Sequence, residues 1–247
     1  MPTPMPIYSR HDLVWLSASG WAAARARALP EHASAIGLWQ QQDWPAVVRR
    51  SDADAGPDEV CLGIALPPDP HGKKVRIALR ARTCDVARTA SPLALAQVVM
   101  QMTGHLSARL PAPLPAPLPA LLPALLPDKW RENLSALAGD SAGLTIRMYG
   151  SAALQLVTGL AYVRPASDID LLFYPATGTQ LDCGVALLSQ HAKGLPLDGE
   201  IVFPGGQAVA WKEWLATDAG NARVLVKHAS GVRLASRDAL LAALEPA

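Results

Sequence analysis

Cysteine and net charge are both scarce in this chain of 247 residues. Its three cysteines, at positions 61, 84 and 183, are too few and too widely spaced for a disulfide framework or a zinc motif. We therefore expect free, buried thiols in a reducing cytoplasm. The 22 Lys and Arg residues nearly balance the 21 Asp and Glu residues, which leaves a formal net charge of +1. A basic surplus of the kind that holds nucleic acid is thus absent, and we expect no nucleic-acid partner.

Long unbroken apolar runs are also missing. Residues 89–127 carry a single full charge, Arg109, but glutamine, histidine and serine interrupt the first half and proline recurs through the second. Neither half fits the roughly 20 apolar residues of a spanning helix. The N-terminus lacks the basic and apolar regions of a secretion signal. The sequence predicts a cytoplasmic protein without a membrane partner.

Proline, in contrast, is abundant. Seven of the 22 prolines fall between Pro111 and Pro127, within a four-residue repeat of leucine, proline and alanine. Proline fixes φ and removes an amide donor, so this repeat suits a semi-rigid spacer rather than a helix or a central strand. We predict three regions: an accessory domain over residues 1–109, a linker over 110–127 and a catalytic domain over 128–247.

Helix and strand patterns alternate on both sides of the spacer. Before it, residues 21–29 and 91–102 predict helices, and 46–50, 59–66 and 73–80 predict strands. After it, strands are predicted over 144–149, 168–174, 200–203 and 208–210, with a helix over 152–158. The expected class is α+β (or α/β) in two domains. The tryptophans at positions 15, 21, 39 and 44 are expected in the first core, although one could stack on an adenine. The basic residues Lys73, Lys74, Arg76, Arg80 and Arg82 could face an acidic protein or only solvent.

The informative chemistry begins where the predicted strand at 144–149 ends. Gly150 permits a close backbone approach, and Ser151 can offer its hydroxyl and amide to an anion at the start of the next helix. Farther on, Asp168 and Asp170 open a strand, where side chains at i and i+2 share a face. Two carboxylates on a rigid strand suit Mg²⁺, which takes few carboxylates together with waters and phosphates.

An anion site beside a pair of metal-binding carboxylates is what phosphoryl or nucleotidyl transfer requires. This combination of Gly150-Ser151 with Asp168-Ile169-Asp170 resembles the nucleotidyltransferase superfamily that includes DNA polymerase beta. The resemblance implies a polymerase-beta-like catalytic domain and a third carboxylate on a later strand. Glu200 is the natural candidate, with Asp198 as its competitor, because both lie on the same face of the strand.

A closer resemblance covers nearly the whole chain. The sequence is similar to the malonate decarboxylase holo-[acyl-carrier-protein] synthases, which are phosphoribosyl-dephospho-coenzyme A transferases. The matching segments are Arg10–Trp15, Trp44–Arg50, Tyr149–Ser151, Leu156–Gly159, Ser167–Leu172, Leu197–Glu200, Ala208–Glu213 and Val224–Lys227. Lys212 stands where family members usually carry arginine, a departure that keeps the charge.

This resemblance implies a specific reaction. Such enzymes transfer the 2′-(5″-phosphoribosyl)-3′-dephospho-CoA group from its triphosphate precursor to a serine of the apo acyl-carrier subunit of malonate decarboxylase, releasing diphosphate. The implied roles are Mg²⁺ binding by Asp168, Asp170 and Glu200, with Glu200 also a candidate base. Phosphate binding is expected from Gly150, Ser151, Arg164, Lys212 and Lys227. Two alternatives stay open: a nucleotidyltransferase acting on a small molecule, tRNA or another protein, and a binding module that only holds a nucleotide.

Overall fold

The chain forms two units, seen in a computed structural model that describes residues 8–102, 126–217 and 223–245. The first unit ends at Pro92 and also includes His228–Gly231. The second begins at Leu93, runs to Lys227 and resumes at Val232. In the described part of the chain, no helix is long and apolar enough to cross a membrane.

The first unit is built on a five-stranded antiparallel sheet with the strand order β4-β3-β2-β1-β5. Its elements are β1 (Leu13–Leu16), α1 (Ala18–Arg27), α2 (Ala33–Gln41), β2 (Ala46–Val48), β3 (Glu59–Ala65), β4 (Arg76–Arg82) and β5 (Val86–Ala90). The sequence patterns predicted α1 and β2 to β4 but missed β1, α2 and β5. All four side chains of β1 are buried, so this strand lacks the alternation by which a half-exposed strand is recognised.

Three of the four tryptophans in the first unit are core residues. Trp15, Trp21 and Trp39 are each at most 3% exposed. The indole N–H of Trp39 donates to the carbonyl of Pro45 at 3.2 Å, and Trp44 packs edge-on against the Trp39 ring at 5.0 Å between centroids. Their burial confirms the interpretation of these three as core residues.

The basic edge strand β4 is partly neutralised within its own unit. Asp52 accepts from Arg49 Nη2 at 2.7 Å and from Arg80 Nε at 3.0 Å. These hydrogen bonds, Arg49's first, hold the pKa of the Asp52 carboxyl well below its usual range. Arg82 pairs likewise with Asp85 at 3.1 Å. Two of the five basic residues predicted for this face therefore serve internal ion pairs.

The second unit is built on a seven-stranded mixed sheet with the order β12-β11-β10-β9-β8-β7-β6. Its strands are β6 (Leu93–Ala94), β7 (Thr145–Tyr149), β8 (Ile169–Tyr174), β9 (Leu197–Phe203), β10 (Gln207–Ala210), β11 (Arg223–His228) and β12 (Gly231–Ser236). Its helices are α3 (Leu95–Met102), α4 (Asp128–Asp140), α5 (Gly150–Thr158), α6 (Gly178–His191), α7 (Trp211–Ala216) and α8 (Arg237–Leu241). Strands β8 and β9 run parallel. The α+β class in two domains is confirmed.

The boundary between the units differs from the one expected at residue 109. Strand β6 pairs with β7, and α3 packs against α4, so residues 93–102 belong to the second unit. Residues 110–125 of the predicted linker lie outside the described residues. Leu126, at the end of that linker, is 3% exposed and lies in the second unit's core. Leu95, Val98 and Met102 of α3 are buried in the same core, which explains why this segment joins the second unit.

One face of the large sheet carries that core. Phe173 on β8 and Phe203 on β9 are each at most 1% exposed. Helix α6 packs closely on this face, because a Cβ at Gly184 would come within 2.2 Å of the Phe173 ring. The opposite face of β8 and β9 carries the polar side chains of Asp170, Asp198 and Glu200 together with the apolar Leu172.

The three cysteines are free, as expected, but their burial differs from the prediction. Cys61 is buried, whereas Cys84 and Cys183 are exposed. The expectation of buried thiols is therefore wrong for two of them. Cys183 lies on α6 next to Gly184, which packs on the core, so its own side chain points away toward solvent.

Candidate active site

Strands β8 and β9 bring three carboxylates onto one face of the second sheet. Alternation along β8 buries Ile169 and Leu171 in the core and turns Asp170 to the opposite face. The parallel register places Asp198 beside Asp170 and Glu200 beside Leu172. We call the sheet face that carries Asp170, Asp198 and Glu200 the carboxylate face.

Gly150 makes room for the Asp170 carboxylate. Strand β7 pairs Tyr149 with Asp170, and Gly150 follows with a positive φ of 70°. A Cβ on Gly150 would lie 2.0 Å from Asp170 Oδ2, far inside ordinary van der Waals contact. Both the backbone conformation and the close approach therefore require glycine at this position. The predicted closeness of the Gly-Ser turn to the Asp168-Asp170 pair is observed for Gly150 and Asp170.

The helix α5 begins beside this carboxylate. Its N-cap, Tyr149, is extended, and the Tyr149 side chain makes no capping hydrogen bond. The first backbone N–H groups of a helix lack intrahelical acceptors and carry a partial positive charge. The half-buried Ser151 lies in this first turn, next to Gly150. The turn therefore has the groups from which the sequence predicted an anion site, and that role stays a prediction.

A buried glutamine shapes the loop that leads to Asp168. Gln155, 6% exposed, accepts from the amide N–H groups of Tyr162 and Val163 at 2.8 and 2.7 Å. Burial raises the pKa of the neighbouring Tyr162 hydroxyl. The sequence patterns gave no sign of this clamp, since a glutamine inside an apolar helix has no spacing signature.

Asp168 itself is exposed and lies one residue before β8, which begins at Ile169 rather than at the predicted residue 168. Arg164 lies in the same loop, where its amide donates to Ser167 Oγ at 2.9 Å. The loop therefore brings Arg164 close in sequence and space to the start of the carboxylate strand.

The two candidates for a third carboxylate have different surroundings. Asp198 is the register neighbour of Asp170, its side chain is 46% exposed, and it lies 3.5 Å from Lys212 Nζ. Glu200 is 4% exposed and accepts from Lys227 Nζ at 2.9 Å. Its role as a third metal ligand stays a prediction, and Asp198 is the nearer of the two to Asp170 in the register.

Two of the three cationic side chains expected around the phosphates contact the carboxylate face. Lys212, on α7, and Lys227, on β11, both contact its carboxylates. The sequence reasoning passed over Arg147, whose partner in β8 is Leu172 and which therefore lies on the carboxylate face. Alternation was the available signal, because Arg147 and Tyr149 alternate with the buried Ile146 and Met148.

The donor chemistry of the carboxylate face suits a hard divalent cation. Asp168 and Asp170 supply carboxylate oxygens, and Gly150 leaves the space that the Asp170 carboxylate occupies. In the described part of the chain, no three His, Cys, Asp or Glu residues are grouped as a complete metal site. A site of few carboxylates completed by waters and substrate phosphates is the kind that Mg²⁺ uses, so these residues fit it.

Comparison with known proteins agrees with a division of the chain into two parts. The family described as phosphoribosyl-dephospho-CoA transferase MdcG N-terminal domain matches residues 9–92, and the MdcG C-terminal domain matches residues 117–238. A phosphoribosyl-dephospho-CoA transferase of Xanthomonas campestris pv. campestris is 39% identical over 236 residues, 94% of this chain and 95% of the relative. The chain belongs to the phosphoribosyl-dephospho-CoA transferase family. It is therefore a transferase enzyme.

More distant members extend the same match. The phosphoribosyl-dephospho-CoA transferase of Bradyrhizobium diazoefficiens is 34% identical over 92% of this chain and 90% of its own length. The enzyme of Pseudomonas putida (strain W619) is 29% identical over 95% of this chain and 94% of its own length. No solved structure matches the chain. The N-terminal family match ends at Pro92, where the structure also places the boundary of the first unit.

Proposed function

We propose that this transferase attaches a 2′-(5″-phosphoribosyl)-3′-dephospho-CoA group to a serine of the apo acyl-carrier subunit of malonate decarboxylase. The donor would be the triphosphate precursor of that group. The observation that carries the proposal is the close approach of Gly150, at the start of α5, to the Asp170 carboxylate, which lies 2.0 Å from where a Cβ would be. This closeness supports an anion site at the start of α5 beside a carboxylate that can hold a cation.

In the reaction, the serine oxygen attacks the phosphorus nearest the ribose. A bond forms between the serine oxygen and this phosphorus. The bond from this phosphorus to the oxygen that it shares with the next phosphate breaks, so that diphosphate leaves. Gly150, Ser151 and the first amides of α5 would bind phosphate oxygens. Lys212, whose side chain is 55% exposed, would approach the triphosphate from α7, and Arg164 would approach it from the loop before β8. These groups orient the triphosphate and offset its charge, which is most of the catalytic work in such transfers.

Asp168 and Asp170 would hold Mg²⁺ on the carboxylate face. When bound, such an ion neutralises charge that develops on the phosphate oxygens. Asp198, the register neighbour of Asp170, is the better placed third carboxylate and a suitable acceptor for the proton of the attacking serine.

The direct test is intact-mass spectrometry of the apo carrier subunit after incubation with this enzyme, Mg²⁺ and the triphosphate precursor. We expect a mass gain of one prosthetic group, with diphosphate released in equal amount. Asp170→Asn should abolish the gain without changing the urea unfolding midpoint, since the amide keeps the size but not the charge. A folded wild-type enzyme that leaves the carrier unmodified would contradict the proposal.

A further inference from the structure

Glu200 is a buried charge on the carboxylate face. It is 4% exposed, and its Oε1 accepts from Lys227 Nζ at 2.9 Å. A carboxylate taken out of water is costly unless a partner compensates its charge. The sequence interpretation predicted Glu200 as a metal ligand, whereas the structure shows it in an ion pair with a lysine on another strand.

The lysine reaches Glu200 across an intervening strand. Lys227 is on β11, Glu200 is on β9, and β10 runs between them with Ala208 paired to Lys227 and Ala210 paired to Glu200. Because both of these β10 residues are alanines, no large side chain of β10 separates Lys227 from Glu200 on this face. The four-carbon stem of Lys227 reaches across β10, and small side chains on β10 are the local condition that permits the contact.

The two partners differ sharply in exposure. The Lys227 side chain is 34% exposed, whereas Glu200 is almost fully covered. An ammonium has three N–H donors, and the bond to Glu200 uses one of them. The pair therefore presents the positive group toward the open side of the carboxylate face and keeps the negative group beneath it.

Holding a lysine in one geometry before a ligand arrives lowers the entropy cost of binding. Lys227 is a flexible side chain that would otherwise sample many rotamers. Asp198, not Glu200, is the register neighbour of Asp170, so the carboxylate face does not depend on Glu200 for a third carboxylate.

We infer that Glu200 is a positioning residue, which fixes the ammonium of Lys227 for contact with the phosphates of the donor and does not ligate the metal ion. The inference rests on the proposed function, which makes the carboxylate face the triphosphate site. Lys227 is then the group that touches substrate, and Glu200 acts through it.

A double-mutant cycle tests the inference, with Glu200→Gln, Lys227→Met and the pair combined. We expect each single change to lower kcat for carrier modification about tenfold, the size of one charged hydrogen bond. The double variant should be no slower than Lys227→Met alone, because Glu200 acts only through that lysine. The Mg²⁺ concentration that gives half-maximal activity should change less than about twofold in Glu200→Gln, and Lys227→Arg should restore part of the rate.

A binding measurement accompanies the kinetics. Titration calorimetry with inorganic diphosphate should show weaker binding in Lys227→Met. Glu200→Gln should also weaken diphosphate binding in the wild-type background, but it should have no further effect when Lys227 is already methionine. Asp140→Asn is the matched control, because it removes a carboxylate that lies 2.9 Å from His191 Nε2, away from the carboxylate face. It should change neither rate nor diphosphate affinity.

The stability of each variant is measured by urea unfolding in the same set of proteins. Lys227→Met removes the lysine partner of the buried Glu200 charge, and the double variant removes both charges, so it should unfold at a higher urea concentration than Lys227→Met. Lys227→Gln, which is neutral and shorter but keeps a polar end group, replaces Lys227→Met if the latter does not fold.

The outcomes separate the two proposals. A Glu200→Gln defect that persists in the Lys227→Met background, with an approximately tenfold higher Mg²⁺ requirement, would overturn this inference and make Glu200 a ligand. The effects of Glu200→Gln and Lys227→Met on diphosphate binding could prove coupled while the wild-type enzyme leaves the carrier unmodified. That result would overturn only the assignment of the carrier as acceptor. Wild-type protein that does not bind diphosphate would overturn both.

Discussion

The contact between Gly150 and Asp170 gives the sharpest test of the site. Replacing Gly150 by alanine places a Cβ 2.0 Å from Asp170 Oδ2 and 2.8 Å from its Cγ. An ordinary contact needs about 3.5 Å, so the carboxylate must move by roughly 1.5 Å. Alanine must also adopt a φ of 70°, which costs about 1–2 kcal/mol in the left-handed region.

Gly159→Ala separates these two effects. Gly159 closes α5 with a φ of 74°, and no atom lies within 4 Å of the place where its Cβ would be. It therefore carries the same backbone cost without moving a carboxylate. Gly159→Ala should lose about 1–2 kcal/mol of unfolding free energy in urea titrations, and Gly150→Ala should lose about 1–3 kcal/mol more because its Cβ also overlaps the Asp170 carboxylate. Only Gly150→Ala should lose activity, by about 100-fold, since a shift of about 1 Å in a catalytic group costs that much.

The assay is the initial rate of carrier modification followed by intact mass, at saturating Mg²⁺ and precursor. Equal activity in the two folded variants would refute the reasoning. So would a large activity loss in Gly159→Ala, because the defect would then follow backbone strain rather than the position of the Asp170 carboxylate.

Two further predictions concern the interactions that support the fold and the site. Gln155→Met should remove the side-chain acceptor of the Tyr162 and Val163 amides, although the Tyr162 amide keeps the Leu160 carbonyl at 3.1 Å. We expect a cost of about 1–3 kcal/mol for the Val163 amide, and kcat should fall more than KM rises because the loop to Asp168 loosens. Unchanged stability by urea titration would contradict the clamp. In the folded state, hydrogen bonds from Arg49 lower the pKa of the Asp52 carboxyl. The ionised Asp52 therefore contributes its full stabilisation above the ordinary carboxyl pKa of about 4, and this contribution is lost as the pH falls below that value. Asp52→Asn should therefore flatten the acid side of the stability profile measured by urea titration from pH 6 to pH 2, and an unaltered profile would refute this.

Local patterns predicted most of the second unit's strands and the closeness of Gly150 to Asp170. The Gly150-Ser151 turn and the strands predicted over 168–174, 200–203 and 208–210 follow from short-range chemistry, in which glycine, alternation and turn residues act within a few positions. Pairing between distant strands was beyond those patterns. Only the parallel register of β8 and β9 places Asp198, rather than Glu200, beside Asp170.

The domain boundary shows the same limit in another form. A conspicuous proline repeat drew the predicted boundary to residue 109, although proline content reports on local backbone and not on which core a flanking helix joins. The side chains of Val98 on α3 and of Leu126 decide that question, because both are buried in the second unit. Burial of this kind depends on long-range packing that no window of sequence contains.

The placement of β6 and α3 determines what would happen if the backbone were cut within residues 103–125. A cut in a tether between two domains releases them from each other. Here the N-terminal fragment would end with a strand paired to β7 and a helix packed on α4, both within the second unit. The two fragments should therefore stay associated through that shared core, so an engineered protease site in the repeat would yield a nicked enzyme that elutes as one species. Separately expressed halves divided at the repeat would be the natural starting point for a split version of this transferase.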